Sequence, residues 1–345
     1  MTYYFISRRI SGLCLAIFAL FAAVGASAQT DATHGKEFYL TFFPNPTIHG
    51  EGSVKIRYVV PEDCRITAQY GDGNYLDNNK WYAAGVYTVD VTRSYCEQNF
   101  ASGTISNRML KVTATKDIGL FAINVITASS DGTTVLPTTA LGKDYTVISH
   151  QPIYDAQGAG YSYISVIATG NPATVTIRKP DDTPVVSDVH IAAGQTYLYC
   201  VRAHSSAEAD RTATDLTGYT VSANENVAVF SAVGCGEEVV HGACDHNYEQ
   251  LWPTYTAGKH YLVWSMSGTY DDLVKVIALS DNTVITKKEG GTTSTISLAK
   301  THDVKNFFVK ADSTITPYAN GSPLPVWLSS DKPFVVEHLM GWAPT

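Results

Sequence analysis

The chain has 345 residues, 24 Lys and Arg against 32 Asp and Glu, a formal net charge of −8, and 45% apolar residues including 21 tyrosines and five tryptophans. It carries no basic stripe able to displace counterions, which argues against nucleic acid as a partner. A mildly acidic balance speaks of solubility.

The first segment reads as an export signal. Arg8 and Arg9 form a basic start, LCLAIFALFAAVG is a short apolar run, and Ala26-Ser27-Ala28 is a small-residue cleavage site. The apolar run is short for a membrane span. Cleavage after Ala28 discards residues 1–28, Cys14 among them. It leaves 317 residues from Gln29, with 22 basic against 32 acidic side chains and a net charge of −10. No second long apolar run follows, so the mature chain is expected to be secreted or held at the cell surface through a partner.

Five cysteines remain, and in an oxidising compartment they are disulfide candidates. Cys235 and Cys244 flank the loop GCGEEVVHGAC and are expected to pair. Cys64 and Cys96 are a second candidate pair, which leaves Cys200 over. No CxxC spacing points to zinc.

From Gly35 onward short runs of Val, Ile, Thr and Tyr alternate with polar residues and are broken by Gly, Asn-Pro and Asp-Asn turns, which predicts an all-β chain. A hairpin-like unit recurs as IRYVVPEDCRI, VTATKDIGLFA, VIATGNPATVT, VSANENVAVFS, VIALSDNTVIT and VWLSSDKPFVV. Anchored on Val59, Ala114, Ala168, Ala223, Ala278 and Leu328, the intervals are 55, 54, 55, 55 and 50 residues. Between the hairpins lies a Gly-bearing turn and an aromatic strand, at Gly35, Gly85, Gly142, Gly194 and Gly258. A sixth copy, KTHDVKNFFV, lacks the glycine.

Six hairpins and six such strands predict six antiparallel units of about 50 residues, the size of a propeller blade. The chain opens with an unmatched Gly-turn strand, Gly35 to Phe42, and closes with an unmatched hairpin, Val326 to Leu339. Pairing them would close a ring and remove the sheet edges. The reading is therefore a six-bladed β-propeller closed by its N-terminal strand. The alternative is three tandem β-sandwiches of two units each. Against it, LWPTYTAGKHYLV runs across a would-be boundary with no linker.

Three segments carry a family resemblance: SSDGTTVLPTTALGKDYTVIS (Ser129 to Ser149), DLTGYTVSANENVAVFSAVGC (Asp215 to Cys235), and CDHNYEQLWPTYTAGKHYLV from Cys244. In order and spacing they resemble the N-terminal domain of the IgGFc-binding protein family, over roughly Gly35 to Trp342. The Cys-Asp-His start with Glu-Gln-Leu-x-Pro is the specific part. The resemblance implies an extracellular binding module over residues 29–345. The immunoglobulin ligand for which the founding mammalian protein is named does not transfer by resemblance.

In CDHNYEQLW, the residues Asp245, His246, Glu249 and Gln250 are candidates either to fix a disulfide-pinned inserted loop by hydrogen bonds or to contact a ligand. Leu251 and Trp252 would pack between blades. The DHNYE spacing matches no standard metal-ligand motif, so no metal or other cofactor is expected.

No GxSxG, HExxH or P-loop occurs, which argues against an enzyme. A propeller hydrolase acting on extracellular glycans would need facing carboxylates and clustered arginines, yet only Arg178, Arg202 and Arg211 follow Arg108. The acidic stretch AEADRTATD, Ala207 to Asp215, reads as a solvated connection, and His150 and His338 as core or rim histidines. Tyr154, Tyr161, Tyr163 and Tyr270 lie in turn-like segments and are candidate surface aromatics for stacking on sugars or anchoring a protein. The functional expectation is a secreted, non-catalytic binding or adhesion module for an extracellular glycoprotein or glycan. The hydrolase and a structural matrix component are the alternatives.

Overall fold

The computed structural model describes residues 32–45, 52–126, 129–154, 160–237, 244–266, 271–310 and 324–341. The candidate export signal, and with it residues 1–28, lies outside them.

The first strands are β1 (His34–Leu40), β2 (Ser53–Val60), β3 (Cys64–Tyr70), β4 (Tyr75–Tyr82), β5 (Gly85–Val91), the short β6 (Thr104–Ser106), the long β7 (Leu110–Ile126) and β8 (Ser129–Val135). All pairings are antiparallel. The first half of β7 lies between β1 and β3, as in Phe38↔Val112 and Ala68↔Val112. Its second half lies between β2 and β8, as in Ile56↔Ala122 and Ala122↔Thr133. With β4 on β3 and β5 on β2, this makes two sheets, β4-β3-β7-β1 and β5-β2-β7-β8, sharing one strand that turns the corner at the exposed residues Lys116 and Asp117.

The arrangement repeats with β9 (Gly142–Thr146), β10 (Tyr161–Ala168), β11 (Ala173–Arg178), β12 (Pro184–Ile191), β13 (Thr196–Arg202), β14 (Thr220–Glu237) and β15 (Cys244–Gln250). Here β14 is the corner strand, with β9 and β11 on its first half and β10 and β15 on its second. A third copy uses β16 (His260–Val263), β17 (Asp272–Ala278), β18 (Thr283–Glu289), β19 (Thr292–Leu298), β20 (Val304–Val309), β21 (Val326–Ser329) and β22 (Phe334–Leu339). Pro333 supplies no backbone N–H, and at this third corner the long strand is interrupted to give β21 and β22. Three buried apolar clusters accompany the three copies. The first continues into the second copy through Tyr163, Leu198, Phe230 and Tyr248. Two short helices, α1 (Arg93–Cys96) and α2 (Glu208–Ala213), lie in connections.

The fold is all-β, but ring closure is not what the strands do. β1 pairs within its own copy, on β7, and not with β21 or β22. Among the described residues the pairings do not form the closed six-bladed propeller and are compatible with the alternative of tandem β-sandwiches, so the three copies are called sandwiches. The repeat misled for a physical reason. Two different corners share one pattern of apolar strand, polar turn, apolar strand. One kind links strands of opposite sheets that do not pair with each other, β2 to β3, β10 to β11 and β17 to β18. The other kind is the bend in the corner strand. They alternate, so an interval of about 55 residues is half of a true repeat of about 110. A Gly-turn strand opens each sandwich and a corner strand ends it, followed in the first two by β8 or β15. The unmatched ends are therefore the two ends of whole sandwiches.

Candidate functional site

Two connectors join the sandwiches, and they are the same device used twice. After Val135 the chain runs Leu-Pro-Thr into a single 3-10 turn, Thr138–Ala140. After Gln250 it runs Leu-Trp-Pro-Thr into another, Thr254–Thr256. Each then reaches a Gly-Lys-x-Tyr strand start. The Gly142 N–H donates to the Tyr145 hydroxyl (2.9 Å), which donates to Val227 O (2.5 Å). The Gly258 N–H donates to the Tyr261 hydroxyl (2.7 Å), which donates to Phe334 O (2.7 Å). A Cβ at Gly35 would lie 2.4 Å from Pro137 Cβ, and one at Gly142 would lie 2.7 Å from Pro253 Cβ. These two glycines are required by close approach to a connector proline.

The stretch from Cys244 to Gln250 is strand β15, not a projecting loop. Its hydrogen bonds with β14 make it part of the second sandwich. Its outer N–H groups are received by side chains of β8 in the first. The N–H of His246 donates to Ser129 Oγ (2.8 Å), that of Tyr248 to Asp131 Oδ2 (2.8 Å), and that of Gln250 to Thr133 Oγ1 (2.9 Å). In return Leu136 N–H donates to Gln250 Oε1 (2.8 Å), and the Tyr248 hydroxyl donates to Thr41 O (2.6 Å). The alternation of β-strand side chains puts residues 129, 131 and 133 on one face, which is why every second residue takes part.

His246 is fully enclosed in this seam. Asn124 Nδ2 donates to its Nε2 (3.2 Å) and also to Phe43 O (2.8 Å), so the proton sits on Nδ1, which donates to Gly234 O (3.3 Å). Burial lowers its pKa to about 4. Asp245 Oδ1 accepts from Ser129 Oγ (2.5 Å) and from the His246 N–H (2.8 Å). Cys235 and Cys244 form a disulfide with their Cα atoms 5.2 Å apart.

Cys64 and Cys96 do not pair. Both are buried free thiols, as is Cys200. Cys64 opens β3, whereas Cys96 lies beyond the far end of that strand, next to Tyr95, whose ring packs against Tyr70. Six residues of strand put the two roughly 20 Å apart, against a limit of about 7 Å between the Cα atoms of a disulfide.

On the other side of β15 lies a cleft of about 460 Å³. It is lined by β15, by the end of β14, by residues Ile148 to His150, and by β22 with Met340. The cleft is rich in carboxyl groups held above their ordinary range. Burial pushes Asp131 up to about 6, Glu337 to about 7 and Glu249 to about 8, and also raises Asp245. The neighbouring carboxylates reinforce the shift at Asp131, Glu249 and Glu337.

Behind Glu337 stands Lys275, buried in β17. Its ammonium donates to Ser149 O (2.5 Å), Asp215 Oδ2 (3.0 Å) and Thr217 Oγ1 (3.0 Å), and sits 3.6 Å from Glu337 Oε2. One buried lysine therefore ties the third sandwich to the second. Asp215 is a partner in that tie, which corrects the reading of its stretch as solvated throughout. His338, at the rim, lies 3.0 Å from the buried Asp272. Among the described residues, no group of three or more His, Cys, Asp or Glu side chains is placed to hold a metal ion.

Sequence reasoning singled out Asp245, His246, Glu249 and Gln250; along β15 His246 and Gln250 are buried at the seam, whereas Asp245 and Glu249 line the cleft. Leu251 is in the second core, but Trp252 is half-exposed on the connector. Lys275, Glu337 and Asp131 were missed. The signal for Lys275 was present in DLVKVIA, a charge inside a run that is buried along its whole length.

The surface aromatics fall differently from expectation. Tyr154 is exposed. Tyr161 is half-buried, with Arg202 over its ring. Tyr163 is a core residue, corrected by its place in the middle of β10, packed on Phe43. Tyr270 lies outside the described residues. The larger exposed set lies on the third sandwich. On the outer face of sheet β16-β21-β18-β19, Leu262 and Trp327 are directly opposite each other, with 60% and 44% exposure. The His260 ring is 6.4 Å from that of Trp327, and Trp264 follows two residues after Leu262 with 51% exposure. The rest of this face, Thr286, Thr293, Thr295, Ser297 and Ser329 with Val284 and Lys288, holds hydroxyls and no carboxylate.

Comparison with known proteins gives a consistent picture. A family model described as IgGFc binding protein matches residues 131–343. A curated human IgGFc-binding protein is 29% identical over 194 residues, which is 56% of this chain and 3% of that much longer protein. No solved structure matches.

Proposed function

This chain belongs to the IgGFc-binding protein family, and from that premise we propose that it is an exported, non-catalytic adhesion module. Its ligand is a glycan or glycoprotein, met at the outer face of the third sandwich. The observation that carries this reading is the exposed set Leu262, Trp264 and Trp327 beside rows of threonine and serine hydroxyls. Aromatic rings exposed on a flat sheet offer stacking surface, and the hydroxyls offer adaptable hydrogen bonds. A soluble monomer rarely exposes such a patch without use for it. Residues 1–28 are read as its export signal. The seam residues Asp245, His246 and Gln250 are read as scaffold that holds two sandwiches together, since their polar atoms bond mainly to backbone and side chains across the seam.

The test is a glycan and glycoprotein array probed with the purified chain, with immunoglobulin Fc among the spots. A specific ligand should be found, and Trp264→Ala with Trp327→Ala should abolish its binding without moving the melting temperature. Binding that survives the double substitution would place the ligand elsewhere and overturn this assignment.

A further inference from the structure

The three sandwiches share one frame, so one place on the sheet can be compared in three copies. Two residues after the turn glycine stand Glu37, Asp144 and His260, and four after it Tyr39, Thr146 and Leu262. In the third copy Leu262 faces Trp327, Trp327 faces Lys288 and Lys288 faces Thr293, one row across all four strands. The corresponding rows are Thr146, Thr220, Arg178 and Pro184 in the second copy, and Tyr39, Lys111, Gln69 and Tyr75 in the first. Lys288 therefore takes the place of Arg178 and Gln69, and His260 takes the place of two carboxylates.

In the first two copies the cation of this face has a partner within the chain. Lys111 Nζ lies 2.7 Å from Glu37 Oε1 and over the ring of the buried Tyr39. Arg178 donates to Asp182 O (3.0 Å), and its Nε lies 3.7 Å from Asp182 Oδ1. In the third copy Lys288 is exposed and makes no hydrogen bond or ion pair among the described residues. Its neighbour Lys287, which strand alternation turns to the other face, pairs with Glu289. Nor does Lys288 guard a sheet edge, since β18 lies between β21 and β19.

The chain as a whole has a net charge of −8, yet the one lysine, arginine or carboxylate among the strand residues of this face is a lysine. Neighbouring strands lie about 5 Å apart, so the ammonium on its flexible stem reaches whatever rests on the Trp327 ring. A stacking ring, an unneutralised cation and no carboxylate to repel an anion together select the sign of the ligand.

We infer that this face reads acidic sugars: one sugar ring of the ligand stacks on Trp327 beside Leu262, and its carboxylate or sulfate accepts from the Lys288 ammonium. Hydroxyls of the same or the next sugar bond Thr286, Thr293 and Thr295. The inference names the ligand class of the adhesion face and rests on that reading. A glycan is favoured over an acidic peptide by the hydroxyl rows around the lysine, which match a ligand that is itself dense in hydroxyls.

The probes are glycans in acidic and neutral pairs on one backbone: sialyllactose and its methyl ester, trigalacturonate and its methyl ester, and sulfated and unsulfated N-acetyllactosamine. Each is titrated against the immobilised purified chain by surface plasmon resonance. At least one acidic member should bind saturably, and its neutral partner about fivefold more weakly. Which pair responds tells a carboxylate from a sulfate. Lys288→Gln should abolish the preference, Lys288→Arg should keep it, and His260→Glu, which restores the carboxylate of the first copy, should remove it. All three positions changed are exposed, so the melting temperature should not move. Added salt should weaken the acidic member more than the neutral one.

Equal binding of both members of every pair overturns the inference and leaves the adhesion face standing. So does binding of neutral glycans alone through Trp264 and Trp327. A preference that survives Lys288→Gln puts the anion elsewhere and overturns it as well. Binding confined to proteins stripped of glycan, or a dimer that Trp327→Ala dissociates, would show the face covered by protein and has the same effect. If no ligand on the array depends on Trp264 and Trp327, the adhesion face itself falls, and this inference with it.

Discussion

His246 offers a direct reading of how the seam between the first two sandwiches is held. Its imidazole is enclosed, neutral, and bonded at both nitrogens. Its pKa is lowered from 6.5 to about 4 because burial disfavours the charged ring. In the unfolded chain the ring titrates near 6.5, so above that pH both states hold it neutral and its full contribution is present. As pH falls through 6.5 the unfolded state takes up a proton that the folded state refuses. Stability is then lost until the folded ring titrates near 4. A gap of about 2.5 units at ~1.4 kcal/mol each gives a full loss of about 3.5 kcal/mol, of which about 3 kcal/mol is reached by pH 4, where the folded ring is half protonated.

Other groups move oppositely over this range. Asp131, Glu249 and Glu337 have raised folded pKa values, so their contributions are present below the unfolded carboxyl pKa and fade as pH rises. The comparison must therefore be differential. Urea unfolding of the chain and of His246→Asn is followed by circular dichroism at pH 7, 6, 5 and 4. The variant should be less stable at pH 7 by about 2–4 kcal/mol, from lost packing and an imperfectly paired Asn124. The gap should close by about 3 kcal/mol at pH 4, because the variant has no imidazole to protonate. A gap constant from pH 7 to pH 4 would refute the buried neutral ring and the proton placement drawn from Asn124 and Gly234.

What could be read from the sequence, and what could not, divides along the range of the interactions. Strand content was legible because Val, Ile, Thr and Tyr alternate at a period of two, which is a local property. The Cys235–Cys244 bridge was legible because a short loop keeps both ends close. Asp245, His246, Glu249 and Gln250 stood out as a polar run because they are contiguous, but their environment and their division between seam and cleft were not legible. CDHNYEQ is a strand through its pairing with β14, but the seam that encloses it depends on β8, more than 110 residues earlier in the chain. The pairing of β1 was equally invisible. An apolar strand interrupted by a polar turn looks the same whether the chain folds back on itself, crosses between sheets or bends at a corner. Lys275 shows the converse case: the run DLVKVIA marks the lysine as a buried charge, but its partners Ser149, Asp215 and Glu337 are remote in sequence and are not announced.

Four further outcomes follow from the same contacts. Reduction of Cys235–Cys244, or a double change to alanine, should cost about 3 kcal/mol by loop-closure entropy and lower the melting temperature while the all-β dichroism persists. A thiol reagent should leave Cys64, Cys96 and Cys200 unmodified until denaturant is added, since all three are buried and burial raises their pKa values; labelling of native chain would contradict this. Gly142→Ala should destabilise by about 1–3 kcal/mol, because the new methyl would meet the Pro253 ring at 2.7 Å, and calorimetry that shows no change would dismiss the connector contact. Lys275→Met should destabilise by about 3–5 kcal/mol, because it strips Asp215 and Glu337 of their cation while they remain in place. Adding Glu337→Gln to Lys275→Met should recover part of that loss, since the neutral amide has no charge to leave unpaired. If the double variant is no more stable than the single one in urea, Glu337 gains nothing from the lysine. The tie between the second and third sandwiches then rests on Asp215, Ser149 and Thr217 alone.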